Sequence, residues 1–487
     1  MPSLQLVADL PGHTEPAWCV AWNPARSLLA SCSTDRTVRL YSYSTTSSTT
    51  TADPTNVPFT TTSTESDAAS AFPGAGDAKP RVELAQVVQT EHKRTVRSVA
   101  WAPSGKAFAT GSFDSSVGVW EEVDEDAEEE EGGEEGVYRP HRGCGHDHAH
   151  GHAHAHAHDH EDDEDQDGDV LMGGVAAKKE WECVTTLEGH ESECKSVGWS
   201  PDGNLLASCS RDKSVWVWEV QPDSDFECIA VMMEHSQDVK TLSWHPKDEI
   251  LASASYDSHI HLLWDDPDGD WCAFQKLHPK LPASALTIPS SATSVIAELK
   301  PTEAERKADE ALDVPPLEED ETVWALAWSP CGRFLASGGD LGGVRLWERT
   351  GHNPDSPVAE RIHTAAHSRS CFALSWISGG LPESEGGLGL LASGGGDGKI
   401  IIWQLVRPAA SSSSAETGVS ATETETETPT ESAATVRMYP VAAVREAHGV
   451  SDVNSLAWCP RGEGKGKGLL ASCGDDGTVR VWRVVRD

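Results

Sequence analysis

The stretch GHESECKSVGWSPDGNLLASCSRDKSVWVWEV, residues 189–220, is the pattern on which the rest of the chain is built. A Gly-His turn leads into an alternating apolar run that ends at Trp199, and Ser-Pro-Asp-Gly then turns the chain. A second run, LLASCS, reaches Asp212 in a tight turn, and a third run ends at Trp218. A fourth follows at residues 226–232, before the next His, His235. Short runs separated by turn residues read as an antiparallel meander, so the stretch is one four-stranded repeat unit.

Seven such units recur. Anchored on the aromatic that ends the third strand, they close at Tyr41, Trp120, Trp218, Trp264, Trp347, Trp403 and Trp482. The first strands end at Trp22, Trp101, Trp199, Trp244, Trp328, Trp376 and Trp458, and all but Trp376 are followed two residues later by a strand-stopping Pro. A turn Asp precedes each closing aromatic: Asp35, Asp114, Asp212, Asp257, Asp340, Asp397 and Asp476. Six units open with a His, namely His13, His92, His190, His235, His367 and His448, and the fifth has lost it. Repeats of about 40–45 residues with this signature are four-stranded propeller blades of the WD40 type. The fold class is therefore all-β, a seven-bladed WD40 β-propeller occupying residues 1–487 as a single domain.

The last unit stops after its third strand, and the run at residues 4–10 belongs to no earlier unit. That N-terminal strand is expected to complete blade seven, closing the ring and protecting the sheet edges. Within blade three, His190 can bridge the Asp212 carboxylate and the Ser208 hydroxyl, which in turn can reach the Trp218 indole. Such a chain satisfies groups otherwise stranded inside the blade. It recurs in most blades, whereas a catalytic site is needed once, so these four residues are scaffold and no enzyme is indicated.

Four insertions interrupt the repeats: 44–80 in blade one, 121–180 in blade two, 279–321 after blade four and 409–434 in blade six. The first, second and fourth are polar, low-complexity segments expected to be disordered. They fall between third and fourth strands, hence on the face opposite the Asp turns, here called the bottom. The insertion at 279–321 is expected on the top, with PTEAERKADEALD (301–313) forming a short amphipathic helix.

The formal net charge is −40. This argues against non-specific binding to nucleic acid or to an anionic membrane surface. There is no apolar run long enough to span a bilayer, and no secretory signal is visible at the N-terminus. Twelve cysteines show no CxxC pair, and Cys32, Cys209 and Cys473 share one place in the repeat. Matched small thiols in a core fit a reducing compartment and no resident cluster or other cofactor. The segment 141–160 holds nine His, among them His146, His148, His150, His152, His154, His156, His158 and His160. Imidazoles and carboxylates bind Zn, Ni or Cu, but alternating His defines no single tetrahedral site. These eight are weak metal candidates on an expanded loop.

SRDKSVWVWE in blade three resembles the third-blade signature of the WD-repeat component of the cytosolic iron–sulfur protein assembly machinery. PGHTEPAWCVAWNPARSLLASCSTDRTVRLY resembles that family's first blade, and EHKRTVRSVAWAPSGKAFATGSFDSSVGVW and EHSQDVKTLSWHPKDEILASASYDSHIHLLW its second and fourth. The likeness runs through all seven blades and fails in the insertions. It implies a non-catalytic adaptor of the targeting complex, cytoplasmic and nuclear. Such an adaptor links a late-acting cluster carrier and the targeting subunits to client apoproteins. The implied partners are a hydrogenase-like iron–sulfur protein, a small partner with an acidic surface, and a helical-repeat adaptor. The alternative is another WD40 scaffold, such as a ubiquitin-ligase substrate receptor or a ribosome-assembly factor, because fold does not determine function.

Four residues before the strand-ending Trp, blades two to four carry Arg97, Lys195 and Lys240, where the others have Trp18, Trp324, Phe372 and Asn454. In blade three Arg211 and Lys213 flank Asp212, and Arg211 matches the family's top-surface arginine. The five cations are expected to converge at the top opening of the channel, where an arginine fork can hold a carboxylate of an acidic partner.

Overall fold

The computed structural model describes residues 2–10, 12–44, 80–124, 179–222, 225–284, 295, 299, 303, 307, 320–351, 353–407, 436–460 and 468–486. The chain divides into two compact units, Met1–Glu121 with Cys183–Asp487, and Glu122–Glu182. Most of the insertions 44–80, 121–180 and 409–434, including the whole His tract, lies outside the described residues.

Seven four-stranded antiparallel sheets are present, and six of them run in chain order from first to fourth strand. Blade three, for example, consists of Cys194–Trp199, Leu205–Ser210, Val215–Val220 and Phe226–Met232. In the seventh sheet the outer strand is Pro2–Leu10, paired antiparallel with Val479–Arg486 so that Leu4 faces Val484 and Leu6 faces Trp482. The expected N-terminal closure is thus present. First strands touch in sequence around the ring, including the last against the first.

The second strands of blades two, three, four, five and seven are buried end to end because both of their faces pack on neighbouring blades. Leu205, Ala207, Val215 and Val217 of blade three meet Leu251 and Leu263 of blade four in one apolar cluster. Cys32, Cys209 and Cys473 are fully buried in these layers. Blades are also joined by hydrogen bonds that sequence reading did not anticipate. The Trp101 indole N–H donates to Ala21 O of blade one (3.0 Å), and Trp22 donates to Ala457 O of blade seven (2.9 Å). Trp199, Trp244, Trp328 and Trp458 make the same bond to the preceding blade. Trp376, which lacks the following Pro, instead donates to Leu388 O of its own blade.

Two alignments made from motif spacing are corrected by the ladders. In blade four Leu251 faces Leu263, as Leu206 faces Trp218 in blade three. Leu263 therefore occupies the closing-aromatic place, and Trp264 is displaced by one residue against Phe274. In blade five the interval from Ser337 to Asp340 is one residue shorter than that from Ser208 to Asp212. Asp340 thus stands where blade three has Arg211, and Leu341 takes the place of the turn Asp.

The described start of the insertion at 279–321 follows the outer strand of blade five, with Ser284 bridged in parallel to Thr364. The backbone N–H groups of Lys280 and Leu281 donate to Glu360. Among the described residues Val295, Leu299, Glu303 and Lys307 are helical, the last two within the predicted stretch 301–313. Val295 is buried, Leu299 packs on the core shared by blades five and six, and Glu303 pairs with Lys307 at 3.3 Å.

Candidate functional site: the mouth of the central channel

The repeated His network is present in the predicted form. His190 Nδ1–H donates to Asp212 (2.9 Å), the Ser208 hydroxyl donates to His190 Nε2 (2.8 Å), and Trp218 Nε1–H donates to Ser208 (3.2 Å). Because a carboxylate only accepts, Asp212 imposes the Nδ1–H tautomer. Burial by itself raises the Asp212 carboxyl, but His190 and Ser214 outweigh it and hold the group well below the usual carboxylate range. The His–Asp and His–hydroxyl bonds recur in blades one, two, four, six and seven, with Thr110 in the place of Ser208 in blade two.

Blade five substitutes an ion network. Glu321 accepts the Leu341 N–H (3.1 Å) and binds Arg345 Nε (2.7 Å), and Arg345 also bonds Glu360 at 2.6 Å. Only 3 % of Glu321 and 5 % of Arg345 are exposed. Among the described residues, no group of three or more His, Cys, Asp or Glu is arranged to hold a metal ion. No helix among them is long and apolar enough to cross a membrane.

What remains is the top opening of the channel. The pairing of first and second strands slips by one residue at the same place in every blade. In blade three it passes from Cys194 to Ser196, skipping Lys195. The residues skipped elsewhere are Trp18, Arg97, Lys240, Trp324, Phe372 and Asn454. A β-bulge leaves its extra residue unpaired and re-aims the side chain. All seven bulged residues line one cavity of about 290 Å³ at the mouth, together with Phe113, Asp452 and Asp475.

The cations rest on aromatic faces. Lys195 Nζ lies 4.0 Å from the Phe113 ring centroid, and the Arg97 guanidinium 4.9 Å from that of Trp18. Lys240 Nζ lies 3.5 Å from Tyr256 and 5.1 Å from Trp324. Such contacts stabilise a partly desolvated cation. Trp324 stands edge-on to Phe372 with centroids 5.2 Å apart and donates its indole N–H to Asp340. Trp18 is fixed by a 2.8 Å bond to Thr34. The walls are therefore held in place before any ligand arrives.

Burial lowers Lys240 to about 8 despite Asp238 at 3.5 Å, and burial also lowers Lys195, against the pull of Glu193. Arg211 stands at the rim rather than in the cavity, with its guanidinium 3.4 Å from Glu193 and 4.0 Å from Asp238. Arg94 binds Glu193 as well, at 3.2 Å. Burial raises the Glu193 carboxyl, yet Ser192, a backbone N–H, Lys195 and Arg94 together bring it to about 2.

The expectation of five convergent cations is thus corrected. Arg97, Lys195 and Lys240 meet, Arg211 lies beside them engaged with carboxylates, and Lys213 does not line the cavity. Lys213 holds the left-handed position of its turn, with φ 75°, and is exposed. Sequence reasoning missed Phe113, Tyr256, Asp452 and Asp475. The available signal was positional, since Phe113, Tyr256 and Asp475 occupy the Arg211 place in their own blades.

A family model described as "WD domain, G-beta repeat" matches residues 4–42, 85–121, 181–219, 226–265, 317–348 and 441–483. A curated protein of Cryptococcus neoformans var. neoformans serotype D, named probable cytosolic iron-sulfur protein assembly protein 1, is 58 % identical over 499 aligned residues, with 100 % of each chain covered. Proteins of the same name from Mycosarcoma maydis and Aspergillus fumigatus are 37 % and 33 % identical. Each covers 99 % of this chain, and the alignments span 93 % and 97 % of the relatives respectively.

Proposed function

The chain belongs to the WD40-repeat family of cytosolic iron-sulfur protein assembly proteins, and from that premise we propose that it acts as a non-catalytic adaptor in this assembly. In this reading it links a late-acting cluster carrier and the targeting subunits to apoproteins outside mitochondria, in cytoplasm and nucleus, through protein contacts alone. The cluster is cargo of the process and is not held by this chain.

The observation that carries the reading is the mouth, where one bulged residue from each blade presents cations and aromatic faces around a single cavity. On a chain of net charge −40, a local basic sector selects an acidic segment of a protein partner by complementarity. Large aromatic side chains and arginine are the residue types that concentrate binding energy at interfaces. Arg211 extends the sector to the rim, and its guanidinium has N–H donors to spare beyond its contacts with Glu193 and Asp238.

Depletion in cells tests the pathway: a cytosolic iron–sulfur enzyme loses activity while a mitochondrial one retains it. If both activities fall together, the assignment to extramitochondrial assembly is wrong. Arg211→Glu tests the surface: the thermal midpoint changes little and co-purification of the targeting partners is lost. Partners that still co-purify with this variant dock elsewhere.

A further inference from the structure

The mouth is not uniformly basic. Asp452 of blade seven sits two residues before bulged Asn454, the place that Glu193 and Asp238 hold before Lys195 and Lys240. In blades three and four these carboxylates are neutralised, Glu193 by Arg94 and Arg211, Asp238 by Lys240. In blade seven no such ion pair forms, and Arg369 acts on Asp452 only from beyond ion-pair distance. Among the described residues, no lysine or arginine lies within ion-pair distance of Asp452 or Asp475. The polar contact of the Asp475 side chain is the Asn454 amide, which donates to Oδ1 at 2.7 Å. Burial raises the Asp452 carboxyl and Asp475 beside it adds to the effect, against a partial offset from Arg369. Both carboxylates line the cavity.

In a ring of seven, blade seven is flanked by blades one and six, so blades three and four stand across the channel from it. Lys195 of blade three and Arg97 of the adjoining blade two likewise have no carboxylate at ion-pair distance among the described residues. One cavity therefore has a positive wall, a negative wall and aromatic faces between them, and among the described residues Arg97, Lys195, Asp452 and Asp475 form no ion pair within the protein.

We propose that the mouth binds a peptide segment of split charge. An acidic residue faces Lys195 and Arg97, an apolar or aromatic residue covers the Trp18–Trp324–Phe372 faces, and a basic residue faces Asp452 and Asp475. This deepens the partner-docking reading above and rests on it. A purely acidic segment would leave two carboxylates desolvated without a partner, which is costly. The opposed walls also impose a direction on the bound chain, because reversing the peptide sets like charges together.

The test is selection of a phage-displayed library of random heptapeptides on the immobilised full-length chain. The enriched sequences are expected to carry an acidic and a basic residue in one order, separated by an apolar or aromatic residue. Selection on Asp452→Asn/Asp475→Asn keeps the acidic and apolar preferences and loses the basic one. Selection on Lys195→Glu loses the acidic preference. A synthetic peptide of the wild-type consensus binds the double Asn variant roughly tenfold more weakly. Should the double variant unfold, judged by circular dichroism, the same comparison is made with Asp475→Asn alone, at an exposed side chain.

Wild-type sequences with an acidic but no basic preference overturn the split-charge inference and leave the docking reading intact. Sequences that enrich equally on wild type and Lys195→Glu overturn both.

Discussion

The ammonium of Lys240 sits 3.5 Å from the centroid of the Tyr256 ring, with Asp238 at the same distance on another side. This packing keeps the amine in the mouth while removing it from water, and burial brings it to about 8. Partner affinity that uses this charge is therefore full at pH 7 and falls as pH rises through 8. Lys240→Arg, whose guanidinium stays charged, removes the decline. Peptide or partner binding measured from pH 7 to pH 9.5 on both proteins checks this. The same shift has a stability consequence of opposite sense: with the folded value below the ordinary 10.5, the fold gains stability as pH rises between the two. That gain disappears in Lys240→Met.

His261 lies flat on His235, with ring centroids 3.8 Å apart and planes at 4°. It occupies the blade-four place held by Trp216 in blade three, is 2 % exposed, and its Nδ1 has no hydrogen-bond partner. Burial, then the neighbouring His235, lowers His261 to about 3. The unfolded chain takes up this proton near pH 6.5 and the folded chain does not, so stability falls as pH drops from 6.5 towards 3. The limiting slope is about 1.4 kcal/mol per pH unit. In His261→Gln, urea unfolding between pH 7 and pH 4 shows a flatter profile than in the wild type.

Arg345 is enclosed by Glu321 and Glu360, each within 2.7 Å. Removing the cation leaves two buried carboxylates facing each other. Arg345→Ala is expected to destabilise the fold by about 3–5 kcal/mol, read from denaturant unfolding. By contrast, Lys213→Ala, at an exposed turn position, stays within about 0.5 kcal/mol of wild type.

Trp22→Phe retains the apolar ring but deletes the donor to Ala457 O, the bond that ties blade one to blade seven. A loss of about 1 kcal/mol is expected. Chemical denaturation measures it, and a double-mutant cycle with Leu4→Ala in the closing strand shows whether the two contacts act together on ring closure.

The repeat count, the N-terminal closure and the His190–Ser208–Asp212–Trp218 network were legible from residues 189–220 and their copies. Each depends on local alternation, turn residues and donors that must be satisfied within one sheet. Blade five was harder to read. Its opening His is missing, and no spacing rule reveals that Glu321 and Arg345 take over the same space. Trp264 and Asp340 were misplaced by one residue for a related reason. Counting along the chain cannot see a ladder, and Leu263 satisfies the packing at the place where an aromatic was expected.

The sequence by itself determined the blade architecture and the common position of Arg97, Lys195 and Lys240, because strand period and turn chemistry act over a few residues. Only the tertiary structure decided that this position is a bulge, that all seven bulges aim into one cavity, and that Asp452 and Asp475 share it. Those residues come from strands hundreds of positions apart, and it is the closing of the ring, with each blade buried against the next, that sets them around one opening.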